Sequence, residues 1–233
     1  MNQAFRAVLF DLDGTLLDTL ADIAEAMNTA LAAKNLPTHP VEAYRRMVGS
    51  GLEALVRRAV PADLTGDDEL IGALTLHLRE EYARHPADRT VPYDGVRELV
   101  AELRERHRLP LAVLSNKADS LVQTIVARFF GPDDFVAVQG LVDGVPAKPD
   151  PASSLSIAAA IGVAPRLVAY LGDSDVDMHT ARNAGMRAIG AGWGFRGPEG
   201  LVSAGAESVI MHPGELSRIL SAGGRLEGGG NDE

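Results

Sequence analysis

From about residue 91 onward, short apolar runs alternate with amphipathic helix patterns, and no other feature of the chain constrains its fold as strongly. The runs have the length of buried parallel strands, and the stripes between them have the spacing of helices that cover a sheet. With a first run at Ala7–Phe10, they predict an α/β fold built on a doubly wound parallel sheet. The later runs lie at residues 111–114, 135–138, 167–171, 187–189 and 208–210.

Residues 18–90 differ, because they contain helix patterns and no convincing strand. Two of the helices are expected to begin at capping boxes, formed by Thr19 with Asp22 and by Ser50 with Glu53. A third is expected from about residue 69 to residue 84. An all-helical block directly after the first strand predicts an inserted cap domain.

The 233 residues suffice for one large domain or two smaller ones. We expect a discontinuous core domain of residues 1–17 and 91–222, interrupted by a cap domain of residues 18–90. Residues 223–233 are rich in glycine and charge, which predicts a flexible C-terminal tail.

Charge and composition exclude several classes of partner and of functional site. The formal net charge is −10 and no run is rich in lysine and arginine, so neither a nucleic acid nor a membrane is expected as a partner. The absence of cysteine excludes disulfides, thiolate metal sites and a cysteine nucleophile. No apolar run reaches membrane-spanning length, which predicts a cytoplasmic protein, expected as a monomer or a homodimer.

Two carboxylates, Asp11 and Asp13, directly follow the first apolar run. At the end of a strand both can face the crevice in which open α/β sheets bind ligands, although such a pair alone also fits a capped turn. Residues 11–18, Asp-Leu-Asp-Gly-Thr-Leu-Leu-Asp, resemble the signature of the haloacid dehalogenase-like phosphohydrolases. The resemblance implies that Asp11 is the nucleophile, that Asp13 is the general acid and base, and that Thr15 binds substrate.

A second segment, Ser115-Asn116-Lys117, ends the run at residues 111–114. A hydroxyl and a free backbone N–H before a helix suit a phosphate oxygen, although Ser115 or Asn116 could also simply cap that helix. The segment resembles the second motif of the family, which places all three residues among those that bind substrate. Lys117 either reaches the organic part of the substrate or is a solvated surface lysine.

A third segment, Lys148-Pro149-Asp150-Pro151, cannot lie in a long helix, so the backbone of its lysine is stiffly placed. It resembles the third motif of the family. The resemblance implies that Lys148 neutralises the nucleophile and the transferring phosphoryl group, whereas an isolated lysine is usually a surface residue.

A fourth segment follows the run at residues 167–171 and places acids at Asp173, Asp175 and Asp177. A calcium loop is excluded, since its sixth and twelfth positions lack the required glycine and glutamate. The segment resembles the fourth motif of the family, Gly-Asp-Ser-x-x-Asp. That implies a Mg²⁺ site formed by Asp11, the Asp13 carbonyl and Asp173, with Asp177 orienting the ligands. Asp175 is expected to be a surface acid.

Two loops are candidates for the border of the site. Gly49-Ser50-Gly51 is either the cap loop that closes over substrate, with Gly49 and Ser50 binding it, or a simple turn between helices. Arg45 and Arg46 either pair with a substrate carboxylate or lie on a solvated helix face. Residues 192–197 spell G-x-G-x-x-G, but too late in the chain for a dinucleotide fold, so a loop beside the site is expected.

The resemblance of the four motifs implies a Mg²⁺-dependent hydrolase of small phosphate esters that acts through an aspartyl-phosphate. Residues 45–53, the pair Asn116-Lys117 and residues 92–96 most resemble those of phosphoglycolate phosphatases. Haloacid dehalogenases lack the second acid of the first motif, so Asp13 argues against dehalogenation. A phosphomutase of the β-phosphoglucomutase type and a catalytically silent binding protein of the same fold remain as alternatives.

Overall fold

The computed structural model describes residues 5–221, and a six-stranded parallel sheet lies at the centre of these residues. Its strands are β1 Ala7–Phe10, β4 Leu111–Ala118, β5 Ala137–Leu141, β6 Val168–Gly172, β7 Arg187–Ala191 and β8 Ser208–Ile210, in the order β5-β4-β1-β6-β7-β8. The strand order reverses beside β1, so the fold is the predicted doubly wound α/β type. The expected tail lies outside the described residues.

Both faces of the sheet are covered by helices. Every residue of β1 is buried, with Val8 and Phe10 in one apolar cluster and Ala7 and Leu9 in the other. This is the pattern of a parallel strand enclosed on two sides. The helices of this part are α4 Val96–Glu105, α5 Asp119–Phe129, α6 Ala152–Ala160, α7 Asp175–Asn183, α8 Gly197–Ser203 and α9 Gly214–Ser221.

The segment between β1 and α4 is helical apart from one small sheet. Its helices are α1 Leu20–Ala33, α2 Leu52–Ala59 and α3 Asp68–Arg84, with short 3₁₀ turns at Val41–Arg46 and Ala62–Leu64. At its two ends, β2 Leu17–Asp18 pairs antiparallel with β3 Val91–Pro92. The expectation of no strand is therefore wrong at Asp18, since two residues are too few to show an alternating pattern. No helix in the described part of the chain is long and apolar enough to cross a membrane.

Neither expected capping box forms, because the side chains that would form it make hydrogen bonds with other residues instead. The Thr19 hydroxyl donates to Asp13 at 2.7 Å, and Asp22 accepts hydrogen bonds from residues 89 and 90. The Ser50 hydroxyl accepts a hydrogen bond from Arg58 at 3.1 Å, and α2 begins after Gly51. The third expected helix is confirmed as α3.

Asp22 joins the two ends of the helical segment. It is 4% exposed and accepts hydrogen bonds from the backbone N–H groups of Arg89 and Thr90 and from the Thr90 hydroxyl. Replacing Asp22 with alanine leaves these donors without their acceptor, so we expect the free energy of unfolding in urea to fall by about 2 kcal/mol.

Glu25→Ala is the matched control. Glu25 also contacts Arg89, at 3.2 Å, but both side chains are more than half exposed. Exposed pairs of this kind contribute little, so the change should stay within about 0.5 kcal/mol. Equal losses in the two variants would contradict the role given to Asp22.

Candidate active site

Four polar segments meet at the carboxyl edge of the central sheet. Asp11 directly follows β1 and Asp173 directly follows β6. Lys117 is the penultimate residue of β4, which extends four residues further than expected, and Lys148 lies in the connection after β5. Because parallel strands present their carboxyl ends at one edge, segments far apart in sequence converge here.

Lys148 lies between two carboxylates. Its Nζ is 2.6 Å from Asp11 Oδ1 and 2.7 Å from Asp177 Oδ1, and it also donates to the Leu114 carbonyl. Lys148 is 7% exposed, so the surface alternative for this lysine is wrong. Burial alone lowers the pKa of Lys148, but Asp11 and Asp177 raise it more, and the net shift is upward. The ammonium therefore stays charged.

Negative charge exceeds positive charge around Asp11. Burial, and then the neighbouring Asp177, raise the pKa of Asp11 from 3.8 to about 7 against the lowering effect of Lys148. Burial, followed by the charges of Asp11 and Asp177, also raises the pKa of Asp173. One oxygen from each of these three carboxylates lies within 4.8 Å of the others, so the group could hold a metal ion.

The donor set fits Mg²⁺, which prefers a few carboxylate and carbonyl oxygens. Asp173 Oδ2 accepts the backbone N–H of Phe195 at 2.6 Å, which fixes its orientation. Gly14, with φ of +90°, approaches so closely that a Cβ there would lie 2.3 Å from Asp173 Oδ2. Only glycine allows the backbone after Asp13 to come this near to the carboxylate.

Asp177 already has partners for both oxygens. Oδ1 accepts from Lys148, and Oδ2 accepts from the Ser174 backbone and hydroxyl at 3.1 and 2.5 Å. The bond from the Ser174 N–H, together with the Asp177 N–H that donates to Ser174 Oγ at 3.3 Å, forms the capping box of α7. These contacts favour the orienting role expected for Asp177 over direct coordination.

Asp13 is held through one oxygen. Its Oδ1 accepts from the Thr19 hydroxyl at 2.7 Å and from Lys117 Nζ at 2.5 Å, whereas no residue of the described chain donates to Oδ2. Lys117 Nζ also donates to the Tyr82 hydroxyl at 2.7 Å, and its side chain is 4% exposed. The solvated alternative for Lys117 is therefore wrong.

The Asn116 side chain makes hydrogen bonds with the backbone of two loops at the site. Its Nδ2 donates to the carbonyls of Lys148 and Gly49, at 3.0 and 3.2 Å, and its Oδ1 accepts the Lys148 N–H. Asn116 lines the cavity, but its amide already spans the loop after β5 and the loop before α2. The helix-cap alternative is wrong as well, since α5 has no side-chain cap and Ser115 accepts the Lys117 N–H instead.

Two residues expected to bind substrate do not line the cavity. Thr15 is fully buried, and its Oγ1 has no hydrogen-bond partner among the described residues. Ser50 is turned toward Arg58, while its neighbours Gly49 and Gly51 do line the cavity. The motifs place the right segments at the site, but they do not determine which way each hydroxyl points.

The cavity is small, with a volume of about 50 Å³, a polar floor and an apolar roof. Arg46 is exposed, and Arg45 pairs with Glu42 at 2.6 Å and reaches the Gly194 carbonyl at 3.5 Å, so neither lines the cavity. The roof comes from the helical segment through Ile23, Val48, Leu52, Leu55, Leu78 and Tyr82.

The glycine-rich loop after β7 borders the cavity, as expected from its position. Phe195 and Arg196 line it, and Arg196 donates to the carbonyls of Arg45 and Val48. Sequence reasoning placed this loop beside the site without singling out Phe195 or Arg196, and it missed Tyr82. The G-x-G-x-x-G pattern was the available signal for Phe195 and Arg196, while nothing in the helix pattern distinguished Tyr82 from a core residue.

Comparison with known proteins agrees with this geometry. The haloacid dehalogenase-like hydrolase family matches residues 5–185. Phosphoglycolate phosphatase of Chromobacterium violaceum is 33% identical over 221 residues, covering 94% of this chain and 97% of that protein. N-acetylmuramic acid 6-phosphate phosphatase of Pseudomonas aeruginosa is 33% identical over 217 residues, covering 92% and 94%.

The solved structures agree with the sequence relatives. A crystal structure from Lactobacillus delbrueckii subsp. bulgaricus, provisionally assigned as a phosphoglycolate phosphatase, superposes with a TM-score of 0.87 at 29% identity, covering 94% of this chain and 99% of that one. The family match spans more than half of the chain, and the relatives match it over nearly their whole lengths. The chain therefore belongs to the haloacid dehalogenase-like hydrolases, and within them it is a phosphatase similar to the phosphoglycolate phosphatases.

Proposed function

We propose that this phosphatase requires Mg²⁺ and hydrolyses small phosphate monoesters through attack of the Asp11 carboxylate on phosphorus. The contact of 2.6 Å between Asp11 and the buried Lys148 is the observation that carries the proposal. A carboxylate is a weak nucleophile toward a phosphate dianion, so it needs fixed placement and nearby positive charge. The lysine supplies both.

A Mg²⁺ ion bound here would supply positive charge beside the phosphate and the attacking oxygen. Asp11, Asp173 and the backbone carbonyl of Asp13 are the groups that would hold it. Asp177 keeps Lys148 and the start of α7 in place through the hydrogen bonds described above. The surplus of buried carboxylates, with Lys148 as the cation between two of them, supports this assignment.

The reaction divides into two displacements. First an Asp11 oxygen bonds to phosphorus, the bond from phosphorus to the ester oxygen breaks, and protonated Asp13 gives its proton to that oxygen. Then a water oxygen bonds to phosphorus, the bond to Asp11 breaks, and Asp13 takes a proton from the water. The hydrogen bonds of Asp13 support this role, because no described residue donates to its Oδ2, which leaves that oxygen available for proton transfer.

Phosphoglycolate is the substrate we propose first. The relatives carry two substrate names, phosphoglycolate and N-acetylmuramic acid 6-phosphate, and both are small phosphate esters. A phosphomutase would use the same nucleophile but return the phosphoryl group to a sugar, and a silent protein would bind without turnover. The complete set of acids with Lys148 favours a working hydrolase over the silent alternative.

We further propose that residues 18–90 form a cap over a core of residues 1–17 and 91–222. Two contacts support closure of the cap at this site, Asn116 to the Gly49 carbonyl and Arg196 to the Val48 carbonyl. A closed cap excludes water from the metal site and so strengthens its electrostatics.

Phosphate release from a panel of esters, with and without Mg²⁺, tests the proposed function. We expect release from 2-phosphoglycolate in Mg²⁺, loss of that activity in excess EDTA, and recovery when Mg²⁺ is restored. A hexose phosphate that is isomerised without net phosphate release would identify a phosphomutase. A panel without any turnover would support the silent alternative.

A further inference from the structure

Lys117 is buried between a residue of the central sheet edge and a residue of the helical segment. Its Nζ lies 2.5 Å from Asp13 Oδ1 and 2.7 Å from the hydroxyl of Tyr82. Tyr82 belongs to α3 and is 1% exposed. The ammonium thus connects the proposed acid of the reaction to the helical segment that forms the roof of the cavity.

The position of this contact on Asp13 matters for proton transfer. Lys117 and Thr19 both donate to Oδ1, so rotation of the carboxylate is restrained, and Oδ2 carries no hydrogen bond from a described residue. A carboxylic acid protonates a leaving group efficiently only when its proton-bearing oxygen is correctly aimed. Restraint of one oxygen fixes the direction of the other.

We propose that Lys117 is a positioning residue that aims Asp13 at the leaving group and, through Tyr82, makes this aim depend on the position of α3. The inference rests on the proposed function. It differs from the sequence expectation, in which Lys117 binds the substrate itself.

A direct substrate contact would have to use the third ammonium proton of Lys117 or displace Asp13 or Tyr82. The ammonium lies over the Tyr82 ring, 4.7 Å from its centroid, as well as against the hydroxyl. Leaving Asp13 would separate two charges whose side chains are 4% and 13% exposed, where an ion pair is weakly screened. Two of the three ammonium protons are therefore used inside the protein.

Lys117→Met tests the proposal with three esters in Mg²⁺. Ethyl phosphate has a poor leaving group and no carboxylate, 2-phosphoglycolate has a poor leaving group and a carboxylate, and p-nitrophenyl phosphate has a good leaving group. The quantity measured is kcat/KM, which reports on the steps up to departure of the leaving group. We expect kcat/KM to fall about 100-fold for both alkyl esters and less than about threefold for the aryl ester, because only poor leaving groups need a well-aimed acid.

Tyr82→Phe removes only the hydroxyl. It should lower kcat/KM for the two alkyl esters, relative to kcat/KM for the aryl ester, by about three- to tenfold, which is the effect of one modest hydrogen bond. It also decides the question alone if Lys117→Met does not fold. Tyr44→Phe is the control, since the Tyr44 hydroxyl is bonded to Asn28 within the helical segment and does not reach the cavity.

Other results would overturn the proposal. Equal losses for all three esters would show a structural role, and a loss confined to 2-phosphoglycolate would show a carboxylate contact. Failure of the proposed function is a separate outcome, because the wild-type protein would then release phosphate from none of the esters.

Discussion

Replacing Asp11 with asparagine is expected to lower phosphate release by about 10⁴-fold or more, since loss of a covalent nucleophile has effects of this size in other enzymes. The amide keeps the shape of the side chain but cannot attack phosphorus. The kcat for phosphate release from 2-phosphoglycolate in Mg²⁺ is the measurement. A variant with near wild-type turnover would contradict the mechanism.

The same substitution should not weaken the fold. Burial raises the pKa of Asp11 to about 7, so in metal-free protein the charged carboxylate is disfavoured, and its ionisation removes stability as pH rises from about 4 to 7. Asparagine does not ionise. At pH 8 in EDTA, the variant should therefore unfold in urea at the same or a higher midpoint than the wild type.

Asp143→Asn is the matched control for activity. Asp143 lies in the connection after β5 and is exposed, so the same chemical change there should leave turnover within about twofold, as is usual for surface substitutions. A large loss in this variant would show that reduced net charge alone affects the reaction.

The sequence predicted which segments of the chain meet at the candidate site. Asp11, Asp13 and Asp173 lie in short motifs directly after strands, and Lys148 lies in the connection after β5. Parallel strands bring such segments together at one edge of the sheet. The strands and helices themselves could be predicted because the period of the apolar residues indicates which face of each element is buried.

Contacts between distant segments could not be predicted in this way. Thr19 and Asp22 have the spacing of a capping box, yet Asp13 and the N–H groups of residues 89 and 90 bind them instead. Tyr82 meets Lys117 across 35 positions, and its helix pattern is that of an ordinary core residue. Sequence spacing indicates only which local hydrogen bond a side chain could make. In the folded chain, a donor or acceptor from a distant segment can bind that side chain instead.

Lys148→Met is expected to damage both the fold and the reaction. Without the ammonium, the buried carboxylates of Asp11 and Asp177 face each other unpaired, and breaking a buried pair in this way costs about 3–5 kcal/mol. The net upward shift in the pKa of Lys148 means that its contribution is fully present at pH 8 and is lost only in strongly alkaline solution. Urea unfolding at pH 8 in EDTA measures the loss.

A second substitution separates the two effects. Adding Asp177→Asn to Lys148→Met removes one of the facing charges, so much of the lost stability should return, while turnover should stay about 10²- to 10³-fold below wild type, as when a charge-stabilising donor is removed from an active site. Lys34→Met, at an exposed lysine, should change neither property. If the double variant regained activity along with stability, Lys148 would be a structural counterion to Asp177, and the positive charge beside Asp11 would have no part in phosphoryl transfer.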